Sequence, residues 1–318
     1  CDAESSAIAE AIGLEVEAAG GIPTLARLDV LRSVSTNHSG ERPHKVLPDQ
    51  ARRALLATEA SVYVASVPAA EQGMREQLLH IVAACGVRHA HLGGISEAGF
   101  VEGLRIGMDT LRAQTAALTE ALGSSTALDI SDHDGTRLHI DVGDGARWVA
   151  YDGSAAAGTA TTYPAGTVAA AVRDARGTFA AHAGLVDFLG SRDPIVLTRP
   201  VRFYIDSGVV VRVEASGAES LQRELERVLG SSPHANRVSV VLLGAQPAAQ
   251  PSSDARIQQT RPGAHLVLGD AKGRITGLGW SAQVSTLACG AVTRVTASGR
   301  VVAEGAGPAR ASGTPRLR

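Results

Sequence analysis

The sequence predicts two lobes, an N-terminal α/β lobe and a C-terminal α+β lobe dominated by antiparallel, twisted sheet. Three observations carry this prediction. The chain has 318 residues, about twice the length expected of one domain. Its first part alternates helical and β-rich segments with short connections, the pattern of a parallel α/β unit. From residue 125 the texture changes to short β-rich runs punctuated by turn residues, which reads as antiparallel sheet. The expected organisation is an α/β lobe over 1–95, a linking helix over 96–124, a β-rich lobe over 125–304 and a disordered tail over 305–318. The chain starts at Cys1 without a Met, so an N-terminal stretch is expected to precede it and to complete the first sheet.

Residues 4–19 place apolar side chains at helical spacing and stop at Gly20-Gly21, a C-terminal punctuation. A second helix is expected over 47–60, opened by Pro48 or Asp49. Residues 61–66 form a β-rich run, Pro68 opens a helix to about Cys85, and 87–92 (VRHAHL) reads as the next strand. Ser96 and Glu97 then cap one long helix to about Leu122. In the second lobe, strands are expected at 127–130, 137–142, 147–151, 177–185, 201–205 and 209–214, with Asp206-Ser207-Gly208 as a hairpin turn. One helix over 218–229 and strands near 238–243, 265–268, 291–296 and 301–303 close the chain, with a mobile loop at 246–255.

Composition narrows the function classes. Lys+Arg is 30 against Asp+Glu at 32, so there is no basic footprint for nucleic acid and no polybasic membrane patch. No apolar run reaches the roughly 18–20 residues that span a bilayer. Three cysteines, Cys1, Cys85 and Cys289, make neither a disulfide framework nor a zinc cassette. A cytoplasmic protein is expected. The Ala-, Gly-, Val- and Arg-rich composition is the bias of GC-rich bacterial genomes.

The common enzyme signatures are absent: no Walker loop, no GxSxG elbow around Ser96, no CxxC and no HExxH, while the GLG at 277–279 lacks a dinucleotide context. Weaker constellations remain. His89 and His91 share one face of a strand, as do His139 and Asp141, and either pair is a fragment of a metal site. In both cases a polar strand face is the more economical reading. Asp132-His133-Asp134-Gly135 reads as a hairpin turn rather than a calcium loop. Cys85 reads as a small buried residue at a helix end. Arg173, Arg202 and Arg212 with Tyr163 and Tyr204 are candidates to grip a carboxylate or peptide, and Trp280 joins them as a candidate substrate contact.

The second half also carries a run of phrases in a familiar order: DGTRLHIDVGDG (134–145), GTATTYPAGTVAAAV (158–172), GTFAAHAGLVDFLG (177–190), PVRFYIDSGVVVRVEASG (200–217), VVLLGAQPAA (240–249), GAHLVLGD (263–270) and VTASGRVVAEG (295–305). Together they resemble the metallo-aminopeptidase T family, the thermophilic leucyl aminopeptidases, and the related 2,5-dihydroxypyridine dioxygenases. Matched phrase by phrase, the resemblance implies that the glutamate ligand after "PAG" is replaced by Thr167. The glutamate ahead of the next phrase falls on Val240, and the Asn of that phrase is Gln246. A ligand histidine is retained as His265, the His-x-Asp pair lands on Ser285 and Leu287, and the final Asp-Gly reads Ser298-Gly299.

Val and Leu carry no donor and a neutral Ser hydroxyl is a poor one, so the resemblance implies a member without its metals. No metal and no cofactor are expected. The reading that follows is a metal-independent protein that holds a peptide or peptide-derived intermediate on an aminopeptidase T-like scaffold, or promotes its modification or cyclisation. Such a protein is similar to the metal-free peptide-binding proteins of ribosomal-peptide natural-product pathways, that of crocagin among them. The implied partners are enzymes of a biosynthetic pathway and a second copy of the chain, a homodimer. Two rival readings stand beside it. One is an active metal-dependent aminopeptidase or non-haem iron dioxygenase drawing on His265, His139, Asp141, His182 and Asp187. The other is a metal-independent enzyme with His265 as general base, assisted by Asp270 or a tyrosine.

Overall fold

The structure is a computed structural model, and it describes residues 1–35, 46–65, 72–103, 106–187, 195–246, 255–269, 276–280, 282, 285–290 and 294–304. The expected tail at 305–318 and most of the expected loop at 246–255 lie outside the described residues. The chain divides into two units, one built mainly from Cys1–Leu104 and Gly153–Ala165, the other from Arg105–Asp152, Gly166–Phe188 and the residues from 192 on.

The first unit is the α/β lobe. Along the chain run α1 (Ser6–Ala18), α2 (Leu28–Ser35), α3 (Asp49–Leu56), β1 (Ala60–Ala65), α4 (Gln72–Cys85), β2 (Arg88–Gly93) and α5 (Glu97–Gly103). The glycine pair after α1 acts as the sequence predicts. Gly20 takes φ +82°, and the N–H groups of Gly20 and Gly21 close onto the carbonyls of Glu17 and Val16. The sheet is small and parallel, in the order β1-β2-β6. Its third strand, β6 (Ala160–Thr162), comes from much later in the chain and pairs with β2 through His89, Ala90 and His91. As parallel strands require, both faces are covered. Tyr63 and Ala65 pack with Leu55, Met74, Leu78 and Val82 on one face. Val64, Leu92 and Ile95 pack with Cys1 and Ile8 on the other.

The second unit is the sheet-rich lobe. It begins with α6 (Met108–Leu122), so the single long helix expected from Ser96 is two helices, α5 and α6, with Gly107 extended at ψ 139° before the second. Its strands are β3 (Ala127–Ser131), β4 (Arg137–Asp141), β5 (Val149–Tyr151), β7 (Thr167–Ala171), β8 (Asp174–Asp187), β9 (Ile195–Asp206) and β10 (Val209–Glu214). After α7 (Glu219–Leu229) come β11 (Val238–Gly244), the short α8 (Ala255–Gln258), β12 (Gly263–Gly269), β13 (Ser285–Gly290), β14 (Arg294–Ala297) and β15 (Arg300–Glu304). Among the described residues these make one 12-stranded antiparallel sheet, ordered β15-β14-β3-β4-β8-β13-β12-β11-β7-β5, with β9 on β8 and β10 on β9. The fold class is the one the sequence predicts.

One expected strand shifts, and β6 forms, like two others, outside the expected set. The strand expected at 291–296 is β14 at 294–297, while β13 and β7 form where no strand was expected. β7 reads TVAAA, and alanine is a poor strand former. It is held in place by backbone pairing to β11 on one side and β5 on the other.

The main core lies on one sheet face. Leu118 and Leu122 of α6 and Leu225 and Leu229 of α7 meet Val168, Ala170, Val241, Leu243, Leu266 and Leu268 there. α6 reaches that face through Leu111, Thr115, Leu118 and Leu122, a stripe at the 3–4 residue spacing of a helix. Among the described residues no helix is long and apolar enough to cross a membrane.

Candidate functional site

Strand side chains alternate between faces, and the strands at the middle of the large sheet therefore have a second face. While Val241, Leu266 and Ala288 enter the main core, their neighbours Val240, Val267, Leu287 and Cys289 turn the other way. There they form a separate apolar cluster with Ala169 and Ala183, flanked by Tyr151 and Leu242. Register fixes the layout. Ala171, Val240, Val267 and Leu287 form one row across β7, β11, β12 and β13. Ala169, Leu242, His265 and Cys289 form the next.

The positions to which the family resemblance gives ligands thus share one face, spread along it from end to end. Thr167, Val240, His265, Ser285 and Leu287 lie on this one face of four adjacent strands. Thr167 stands beside Gly244 and Tyr151 at one end. Ser285 is half-buried between Gly269 and Asp187 at the other. Gln246 follows β11, fully buried; its Oε1 accepts from the Thr260 hydroxyl at 2.6 Å and its N–H donates to the Thr260 carbonyl at 2.8 Å. It packs over Gly166, whose φ of +107° and lack of a side chain leave room for Leu111 and Gln246.

His265 is the chemical singularity of the face. Its Nε2 donates to the Arg261 carbonyl at 3.1 Å, which leaves Nδ1 as the lone-pair nitrogen, and Nδ1 is buried without a hydrogen-bond partner among the described residues. Burial pushes the imidazole pKa down to about 4. The hydrogen bond to the Arg261 backbone opposes that shift and the Arg261 charge adds to it. The ring is neutral at physiological pH and presents an acceptor to an apolar surface.

A divalent metal needs three or more donors in a cage. The five positions offer one imidazole, two hydroxyls and the hydrocarbon side chains of Val240 and Leu287, and the Cys289 thiol beside His265 adds one more donor, so these residues fall short of such a cage. Among the described residues no group of three His, Cys, Asp or Glu side chains is arranged to hold a metal. The other acids and imidazoles named by sequence are engaged separately. His139 Nδ1 meets Asp129 at 2.8 Å across the β3–β4 hairpin, and Asp141 accepts from the Gly143 N–H at 2.6 Å. His182 and His133 both approach the Asp134 carboxylate, at 3.2 and 3.1 Å. Asp270 and the side chain of Asp187 lie outside the described residues. The Asp132–Gly135 segment is the hairpin turn expected, with the Asp132 carboxylate accepting from the N–H groups of Asp134 and Thr136. Cys85, expected to be buried, is exposed at the end of α4.

The remaining candidates fall elsewhere. Arg202, Tyr204 and Arg212 do come together, on the β9–β10 hairpin, around a residue the sequence reading passed over. Glu214 accepts from the Tyr204 hydroxyl at 2.8 Å and pairs with Arg202 at 3.4 Å and Arg212 at 3.5 Å. The Arg212 guanidinium lies 3.7 Å from the centre of the Tyr204 ring. The carboxylate that these groups grip is thus the chain's own. The turn at 206–208 was the available signal, because it sets Arg212 opposite Tyr204 and Glu214 opposite Arg202. Arg173 stands exposed between β7 and β8. Trp280 packs against His234 and Arg237. Tyr163 belongs to the first unit, against Phe100, and burial raises its hydroxyl pKa.

No family model matches the chain, and no curated protein sequence matches it. Among the solved structures that share its fold are two of known name. Aminopeptidase T (AmpT) from Thermus thermophilus superposes with a TM-score of 0.60 at 14% identity, over 93% of this chain and 88% of that one. The 2,5-dihydroxypyridine dioxygenase from Pseudomonas putida gives 0.56 at 17% identity, over 84% and 78%. At these identities the likeness concerns the fold.

Proposed function

We propose that this chain is a metal-independent binding protein on an aminopeptidase T-like fold, holding a peptide or peptide-derived intermediate. The observation that carries the reading is the second sheet face. The five positions that the resemblance gives to ligands share that face, and four of them carry Thr, Val, Ser and Leu. What the face carries instead is a set of buried apolar side chains around one fixed acceptor, His265 Nδ1. Binding sites commonly combine an apolar lining with a few placed polar groups, and the N–H groups of a peptide are the donors that such an acceptor lacks. Delivery of the bound intermediate to modifying enzymes of a natural-product pathway, by a homodimer, completes the proposal.

The test is metal analysis of the purified chain by plasma mass spectrometry, followed by calorimetric titration with candidate peptides. The reading expects less than about a tenth of an equivalent of transition metal, against the stoichiometric ion of a built site. It also expects peptide binding that Val240→Asp abolishes. Stoichiometric metal that survives dialysis, or chelator-sensitive cleavage of aminoacyl anilides, overturns it.

A further inference from the structure

The first unit holds a second polar constellation that the sheet face does not use. Ser61 and His89 are paired neighbours on the parallel strands β1 and β2, and Ser61 Oγ lies 2.8 Å from His89 Nδ1. His89 Nε2 lies 3.3 Å from His91 Nδ1, and the His91 ring stacks on Tyr63 with centres 4.6 Å apart and planes 16° apart. Both imidazoles are buried, while Ser61 is half-exposed. Two buried histidines in series carry a desolvation cost that a simple polar strand would avoid.

Two tautomer sets satisfy these contacts, and only the one led by a Ser61 donor is set for chemistry. In that set His89 Nε2–H donates to His91 Nδ1, and the Ser61 hydroxyl donates to His89 Nδ1. That is a nucleophile on a base whose tautomer is fixed by a third group, the geometric signature of an activated hydroxyl. Burial and the Arg75 charge hold the His89 pKa down at about 4, and a backbone hydrogen bond at Ser61 opposes them and supplies the imidazolium with one acceptor.

We propose that Ser61 is a nucleophile for activated acyl groups, with His89 as its base and His91 as the positioning residue. The Ser61 Oγ–acyl carbon bond forms as the hydroxyl proton passes to His89 Nδ1. The alkoxide, phenolate or, from a thioester, thiolate then leaves, taking that proton. Water attacks the acyl-serine by the same route, releasing the carboxylic acid and restoring the hydroxyl. The substrate class is a small activated ester or thioester. This assignment is independent of the reading of the sheet face.

The test is intact-mass and peptide-mapping analysis of the full chain after treatment with an alkyl fluorophosphonate, alongside the burst from p-nitrophenyl acetate. One adduct on Ser61, absent from Ser61→Ala, is expected. His89→Gln slows labelling by roughly 10²–10³-fold. The labelling rate is flat around neutral pH and falls with a midpoint near the His89 pKa of about 4, and His91→Gln moves that midpoint. No adduct on the folded wild type, or an adduct that persists in Ser61→Ala, overturns the assignment. Should His89→Gln not fold, Ser61→Cys serves. Alkylation of its new thiol by iodoacetamide at least about ten times faster than that of exposed Cys85 supports base activation, and a rate at or below that of Cys85 refutes it.

Discussion

The Tyr204 hydroxyl donates to Glu214 Oε2 at 2.8 Å across the β9–β10 hairpin. This bond is the largest cause of the lowered Glu214 pKa, ahead of the charges of Arg202 and Arg212. A carboxyl whose folded pKa is depressed contributes stability that is fully present above its unfolded value and disappears as pH falls through the folded one. Glu214→Gln therefore lowers Tm at neutral pH, and the gap to wild type closes only below the ordinary value of 4.5. Carboxyl-carbon NMR titration checks the cause. Tyr204→Phe moves the Glu214 midpoint up toward 4.5, and an unmoved midpoint would remove the hydroxyl from the account.

His265 predicts a pH dependence of the same sign from a different group. Its folded pKa is near 4 against 6.5 for the free side chain, so between those values the unfolded chain binds more protons. Stability then rises with pH across that window and is flat above it. The full effect of one such imidazole is roughly 3 kcal/mol, and His89, also near 4, adds a second contribution. His265→Gln retains an N–H donor for the Arg261 carbonyl and removes the titration. Urea denaturation from pH 4 to 7 should show the slope reduced by about one proton; an unchanged slope would mean that the ring is charged when folded.

Legibility followed the range of the interaction that fixes each element. The hairpin at Asp206-Ser207-Gly208 was readable because its turn is local: Ser207 and Gly208 take φ of +52° and +71°, as a two-residue hairpin demands. β6 was not readable, since three residues, Ala160–Thr162, acquire strand character only by lying beside β2 from some 70 positions away. The same holds for the candidate site. His265 was legible inside its phrase. The burial of its Nδ1 depends on the strands paired on either side, which no local pattern encodes.

Gly244 tests how tightly the end of that face is built. A Cβ at this position would fall 1.8 Å from the Arg261 carbonyl oxygen, the same carbonyl that holds His265. The contact is backbone to backbone, so no rotamer relieves it. Gly244→Ala is expected to lose more than about 3 kcal/mol or fail to fold. Gly279→Ala, with nothing within 4 Å of the added carbon, changes stability by less than about 0.5 kcal/mol. Chemical denaturation of the two variants decides, and a stable Gly244→Ala would mean that the strand can slide away from Arg261.

Val240→Glu restores a carboxylate where the resemblance places one and asks whether the face can use it. Val240 is buried with Ala171 and Val267 as its row neighbours and Leu287 beyond them, none of which donates a hydrogen bond or carries charge. Burial favours the neutral acid and raises the carboxyl pKa above its unfolded value, so the destabilisation grows as pH rises past the unfolded pKa. A loss of about 2–4 kcal/mol is expected at neutral pH, smaller at pH 4. Added Mn²⁺ leaves the Tm of the variant where it is, because His265 is the single imidazole among the described residues of the face and its neighbour Cys289 offers a soft thiol that Mn²⁺ does not favour. Thermal unfolding with and without metal separates the outcomes. A metal-dependent recovery of Tm would show that Cys289, Thr167 or Ser285 joins the coordination, and the metal-independent reading of this face would fall with it.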